Sequence, residues 1–388
     1  MKCIVAPDSY KGSLSAVEVA RSMEEGIKQV FPSCEVRSFP LADGGEGTVE
    51  SLVRSTEGAF RTDEVTGPLG EKVKAVWGIL GDRRTAVIEM AEASGITLLA
   101  EKDLNPYATT TFGTGELIGK ALDYGVDKVI LGIGGSATND GGAGMAAALG
   151  AELLDKEGRP LPHGGKTLLD LHEIRTDHMD KRIFSTQFIT ACDVDNPLCG
   201  PRGASAVFGP QKGATPEMVE VLDQALSHYG KQIHKYLKKD IMFEEGAGAA
   251  GGLGAGLMAF LNAELKQGID IVLDSIDFNA VLKGADFVLT GEGKTDRQTL
   301  FGKAPMGVGM RAKQFNVPVF CISGSLSDGY TLLEEKGIHA FFSISHEPST
   351  LEYLSSYAGP LVEETVENIM KVYASVYKNT PVSPLTNG

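Results

Sequence analysis

Cysteine is scarce and scattered in this chain. Cys3, Cys34, Cys192, Cys199 and Cys321 are odd in number and include no Cys-x-x-Cys pair. That excludes a dense disulfide framework and a cysteine zinc site, and fits buried thiols in a reducing compartment. The seven histidines show no metal-ligand spacing. No segment approaches the length of a membrane span. The apolar run Cys3–Ala6 is cut short by Pro7 and Asp8, so no signal peptide is expected. Positive charge is also in deficit. The 36 Lys and Arg against 51 Asp and Glu leave a formal net charge of −15, which argues against nucleic acid or an anionic membrane as the main partner. Any anion site must therefore be local, built from backbone N–H groups, a few Lys or Arg, or bound metal. Together these absences predict a cytoplasmic protein.

Two common nucleotide signatures are missing as well. Gly164-Gly165-Lys166-Thr167 and Gly293-Lys294-Thr295 resemble the end of a Walker A loop, but the glycine needed five positions before the second one is Pro160 or Val288. Neither is a P-loop. There is no protein-kinase catalytic loop.

What is present is an ordinary globular composition, 42% hydrophobic and 22% charged over 388 residues. Two domains are the default for that length. Strand, loop and helix alternate at both ends. Lys2–Ala6 reads as a strand, Ser15 and Glu18 as a capping box, and Glu35–Phe39 as a second strand. Residues 60–90 read instead as three strands separated by turns. After residue 285 the rhythm returns, with strands at Phe287–Thr290, Val317–Ile322 and Ala340–Ile344. A final helix is expected over 350–377, broken near Gly359-Pro360, followed by a frayed tail at 379–388. The fold class is α/β: a discontinuous, doubly wound domain from 1–68 and 283–388, with an inserted α/β domain at 69–282.

Five polar, glycine-rich loops follow predicted strands, where open α/β sheets bind ligands. They are 7–13, 42–48, 132–142, 191–197 and 290–296. Glycine lets backbone approach a ligand and turn its N–H groups toward an anion. A lone Asp or Asn in such a turn more often caps it, and a lone exposed Lys is more often solvated. The functional reading rests on convergence. Lys11 and Lys294 suit phosphate oxygens, and Asp43, Glu46, Asp193, Asp195, Glu292 and Asp296 suit a base or a metal. Mg²⁺ favours one or two carboxylates plus substrate phosphates. The segment 246–256, almost purely small, is either a linker or a place of close backbone packing. Gly132-x-Gly134-x-x-Ala137, with Asp155 downstream, also fits a loose dinucleotide fingerprint. An NAD-dependent dehydrogenase of a small hydroxy acid therefore stays open, as does a non-catalytic organic-acid-binding protein.

Six blocks in order resemble the bacterial glycerate kinase family over nearly the whole chain. They are Pro7–Ser15, Ala42–Thr48, Gly132–Gly142, Ala191–Leu198, Phe208–Ala214 and Gly291–Gly293. Tyr10 stands where Phe is expected, and Lys294 where Arg is more usual. The resemblance implies phosphorylation of D-glycerate with ATP and Mg²⁺, 2-phosphoglycerate being the favoured product. It also implies a Rossmann-like discontinuous domain and an active-site cleft between the two domains; a homodimer is left open. On that basis Asp193 is the expected base, with Asp43 its rival, and Lys11 neutralises charge. Asp8, Ser9, Gly44, Gly45, Glu46, Gly134, Gly135, Ser136, Thr138, Asn139, Asp195, Asn196 and Lys294 are expected to bind substrate or phosphate. Glu292 and Asp296 are the expected metal residues.

Overall fold

The computed structural model describes residues 1–377, so the tail at 379–388 lies outside the described residues. The strands are β1 (Lys2–Val5), β2 (Glu35–Ser38), β3 (Ala59–Thr66), β4 (Lys72–Ile79), β5 (Thr85–Glu89), β6 (Lys128–Gly132), β7 (Glu152–Leu154), β8 (Glu173–Arg175), β9 (Gln187–Ala191), β10 (Glu264–Lys266), β11 (Phe287–Thr295), β12 (Val319–Leu326) and β13 (Ala340–Ser343). The chain divides into two compact units, one of residues 1–42 and 273–388, the other of 43–272.

The first unit is built on a five-stranded parallel sheet, β13-β12-β11-β1-β2. Counting only this sheet's strands in chain order, the arrangement is 2-1-3-4-5, the flavodoxin-like form of a doubly wound sheet. Cys3–Val5 and Phe287–Leu289 on its central strands are short, fully buried apolar runs, as expected where both faces are covered. Helix Ala16–Val30 starts at the Ser15 capping box, whose reciprocal bonds with Glu18 are both present. It packs on helix Ala358–Tyr377 so closely that a Cβ on Gly26 would lie 2.6 Å from the Glu363 carbonyl oxygen. The final helical stretch breaks at Tyr357, between Leu351–Ser356 and Ala358–Tyr377, two residues before Gly359-Pro360 and so near the expected place. Tyr10 does more than keep an aromatic ring: its hydroxyl donates to the Ile322 carbonyl at 2.8 Å inside the core.

The second unit carries a six-stranded mixed sheet, β10-β9-β6-β5-β4-β3. β5, β6, β9 and β10 run parallel, and β3 and β4 are antiparallel. Helices Phe112–Tyr124 and Ala143–Ala148 pack together over its core. The long helix Pro216–Leu237 opens on the Thr215 cap with Pro216 in its first turn.

Three sequence expectations are corrected here. Residues 43–68, expected in the first domain, belong to the second unit, because helix Thr48–Ser55 lies against β4 and β5 and β3 pairs with β4 along its length. Residues 273–282 move the other way: Phe278 packs edge-on against Phe39 at 6.4 Å. The segment 290–295 is also not a loop. β11 continues through it because β12 offers partners as far as Leu326, with Glu292 opposite Ser323 and Lys294 opposite Ser325.

Candidate active site

In the second unit a cavity of about 400 Å³ opens at the carboxyl ends of β6 and β9. Its wall comes from the turns after those strands (Ile133–Ser136 and Ala191–Val194), from Asp43–Gly45, from Phe208, Gln211 and Lys212, and from Ala249 and Ala250. Three of the five loops picked out from sequence thus meet in one space.

Glycine makes that meeting sterically feasible. Gly44 sits at φ +91°, and a Cβ there would lie 2.5 Å from the Ala191 Cβ. A Cβ on Gly134 would be 3.2 Å from the Gly45 Cα. The small-residue segment near 250 proves to be close backbone packing and not a linker. Ala250, Gly251 and Gly252 all adopt left-handed angles inside helix Ala249–Leu261. There the Gly251 carbonyl accepts the Gly141 N–H at 3.0 Å, and a Cβ on Gly251 would collide with the Thr138 carbonyl at 1.9 Å.

Asp193 is exposed to the cavity. Its Oδ1 accepts the N–H of Gly268, first residue of helix Gly268–Ser275, at 3.0 Å. Its carboxylate still lies deep enough among protein atoms that desolvation leads in pushing its pKa up to about 7; the negative charges of Asp43 and Asp270 push the same way, and the Gly268 bond opposes them. A carboxylate near neutrality is suited to accept a proton at physiological pH. Asp43 shares the cavity, and its Oδ1 accepts the Gly45 N–H at 3.3 Å.

Lys212 also lines the cavity and was not among the residues singled out from sequence, although its block was noted. It is 1% exposed. Its ammonium donates to the Ser136 hydroxyl and to the Thr138 carbonyl, both at 2.7 Å. Burial pulls its pKa down to about 7, against the charge of Asp140. The usable signal was a lysine held in the turn Gly209-Pro210-Gln211-Lys212-Gly213 beside small residues. Its burial was not legible.

Other expected residues sit elsewhere. Asn139 and Thr138 are fully buried behind the wall: Asn139 donates to the Ser205 hydroxyl at 3.0 Å, while its Oδ1 and the Thr138 Oγ1 have no partner among the described residues. Asp195 pairs with Arg202 at 2.8 Å in the open, and Asn196 donates to the Arg202 carbonyl at 2.7 Å. These two bonds shape their loop. Neither Asp195 and Asn196 nor the exposed Glu46 lines the cavity. Asp155, the acid of the dinucleotide reading, ties its own hairpin by accepting the Glu157 and Arg159 N–H groups, each at 2.9 Å. The helix after the glycine turn spans only Ala143–Ala148.

In the first unit, Asp8, Ser9 and Lys11 follow β1, next to Glu292 and Lys294 on β11. This is the switch point of the doubly wound sheet, where such sheets bind ligands. The Asp8 N–H donates to the Gly291 carbonyl at 2.8 Å, and the Ser9 N–H to Asp8 Oδ1 at 2.6 Å. Glu292 is buried. Its carboxylate accepts the Thr299 hydroxyl at 2.5 Å and the Thr295 hydroxyl at 3.2 Å, and pairs with Lys303 at 3.1 Å. Desolvation raises its pKa against those partners. Asp296 caps the turn 297–300 and pairs with Lys294 at 3.3 Å. Both carboxylates are thus engaged within the protein. Among the described residues, no group of three or more His, Cys, Asp or Glu side chains could hold a metal.

A doubly wound parallel sheet and a second sheet carrying a glycine-walled cavity with a carboxylate and a buried lysine on it are the architecture of an α/β enzyme with a small-molecule site. The chain belongs to the glycerate kinase family, whose model matches residues 3–374; members are kinases that phosphorylate an alcohol group. A glycerate kinase from Bacillus subtilis (strain 168) is 53% identical over 369 residues, 95% of this chain and 97% of the relative. A protein named glycerate 2-kinase from Escherichia coli (strain K12) is 51% identical over 352 residues, 91% of this chain and 92% of the relative. A crystal structure of a Salmonella typhimurium LT2 protein, described provisionally as glycerate kinase 2, superposes with a TM-score of 0.89 at 48% identity, covering 98% of this chain and all of that one. No helix among the described residues is long and apolar enough to cross a membrane.

Proposed function

We propose that this chain transfers the terminal phosphoryl group of ATP to the 2-hydroxyl of D-glycerate, yielding 2-phosphoglycerate and ADP. The observation that carries the mechanism is the shared cavity of Asp193, with its pKa near 7, and the glycine turns. The hydroxyl oxygen of glycerate attacks the γ-phosphorus, the bond from that phosphorus to the β,γ-bridging oxygen breaks, and the hydroxyl proton passes to the Asp193 carboxylate. The Gly268 N–H orients that carboxylate. The 2-position is supported by the name of the Escherichia coli relative.

Phosphoryl transfer needs mainly positioning and charge stabilisation. The turn Gly134–Ser136 supplies backbone N–H groups to an anion in the cavity. At the switch point of the first unit, Asp8, Ser9, Lys11 and Lys294 support a role with nucleotide phosphate. Mg²⁺ arriving with a nucleotide needs only one or two carboxylates, and Asp43 fits that need. Its charge stands near that of Asp193, so a cation between protein and phosphate would relieve the repulsion. Bound there, Mg²⁺ would neutralise charge on the phosphoryl oxygens. The buried thiols of Cys3, Cys34 and Cys321 suit a reducing cytoplasm.

The test is a coupled ADP-release assay with D-glycerate and a panel of other hydroxy acids, with enolase added to detect the 2-phosphate. ADP formed selectively with glycerate, and product consumed by enolase, support the reading. Folded protein that releases no ADP with glycerate overturns it.

A further inference from the structure

We propose that Lys212 recognises the carboxylate of glycerate and makes the enzyme select an acid over the matching neutral molecule. This rests on the glycerate kinase reading of the cavity and deepens it.

The charge of Lys212 has no ion-pair partner among the described residues. An ammonium has three N–H donors, and two of them are used by the Ser136 hydroxyl and the Thr138 carbonyl. The third lies on a side chain that lines the cavity. Asp140 is the carboxylate that acts on it electrostatically. Yet Asp140 is taken up by other donors: the Thr111 N–H at 2.8 Å, the Thr111 hydroxyl at 2.9 Å, the Gly142 N–H at 3.1 Å and the Gly144 N–H at 3.2 Å. A buried, unpaired charge is costly. A ligand that brings the opposite charge offsets that cost.

The ligand is best matched by a small monoanion. Lys212 is a fixed point charge: it ends the turn Pro210–Lys212, and Gly213 follows at φ +89°, where a Cβ would lie 2.7 Å from the Leu104 carbonyl oxygen. One immobile ammonium balances one carboxylate. A triphosphate carries several negative charges, more than one ammonium balances, and brings its own Mg²⁺ to meet the carboxylates. With the carboxylate of glycerate held at Lys212 beside the Gly134–Ser136 turn, its hydroxyls are left for Asp193. Burial lowers the proton affinity of the Lys212 ammonium, and a bound carboxylate would raise it.

The test compares wild type with Lys212→Met and Lys212→Gln. Glutamine keeps an N–H donor without the charge, methionine keeps an unbranched chain without the donor, and a melting curve checks that both variants fold. The readouts are KM and kcat for D-glycerate, and the Ki of neutral glyceramide as a competitor. In both variants KM for glycerate should rise about 100-fold or more, as when one partner of a buried charge pair is lost. The glyceramide Ki should change by less than about threefold. A folded variant with unchanged KM, or a loss confined to kcat, overturns the inference. Wild type inactive on glycerate would instead overturn the kinase reading itself.

Discussion

The Asp193 carboxylate accepts the N–H of Gly268 at 3.0 Å, a bond spanning 75 residues of sequence. It ties the turn after β9 to the start of helix Gly268–Ser275. A Cβ on Gly268 would lie 1.9 Å from the Asp43 carbonyl oxygen, so one glycine serves both acids of the cavity. The proposed base is therefore held by backbone and keeps its second oxygen for a substrate hydroxyl.

Asp193→Asn keeps an acceptor for Gly268 and removes the base. We expect kcat to fall by about 10²–10⁴ while KM for glycerate changes little. Steady-state kinetics decide this, and an unchanged kcat would remove Asp193 from the proton-transfer step in favour of Asp43.

The pH profile of kcat/KM should be a narrow bell. Asp193, raised to about 7, must be ionised to act as base, so the rate falls as pH drops below that value. Lys212, lowered to about 7, must be protonated to hold a carboxylate, so the rate also falls as pH rises above it. In Lys212→Gln the alkaline limb near neutrality should vanish and the acid limb remain.

Glu89, the buried last residue of β5, accepts the Val49 N–H at 2.8 Å. Desolvation leads in raising its pKa to about 7. The folded state thus holds its proton more tightly than the unfolded chain. Stability from this group is fully present below the unfolded pKa and is lost as pH rises toward 7. Glu89→Gln should then stabilise the protein at pH 8 by about 2 kcal/mol and change little at pH 4. Denaturant melts at the two pH values test the sign.

Gly44→Ala and Gly12→Ala separate backbone strain from collision. Both positions have positive φ, but a Cβ on Gly12 meets nothing within 4 Å, whereas one on Gly44 strikes Ala191. We expect about 1–2 kcal/mol lost at Gly12 from strain and about 3 kcal/mol or more at Gly44, where overpacking adds to it. Activity should fall at Gly44 as well. Equal losses in thermal melts would refute the collision argument.

Much of the first unit was legible because its cues are local. The Ser15–Glu18 capping box, the apolar run of β1 and the Thr215-Pro216 helix start each act within a few residues. Where the sequence reading failed, a distant partner decided. β12 drew residues 290–295 into a strand, and β4 drew β3 into the second unit. Asp195 and Asn196 sit in one of the loops singled out from sequence, and Arg202 engages both.

From sequence alone came the α/β class, the glycine turns, the candidate acids and the family resemblance, since periodicity, capping and backbone sterics are properties of neighbouring residues. Only the tertiary structure decided that Lys212 is buried, that Asp43 and Asp193 share a cavity, and that Asn139 lies behind its wall. Desolvation and hydrogen-bond partnership depend on what the rest of the chain packs around a group, and for Lys212 that neighbour is Ser136, 76 residues away.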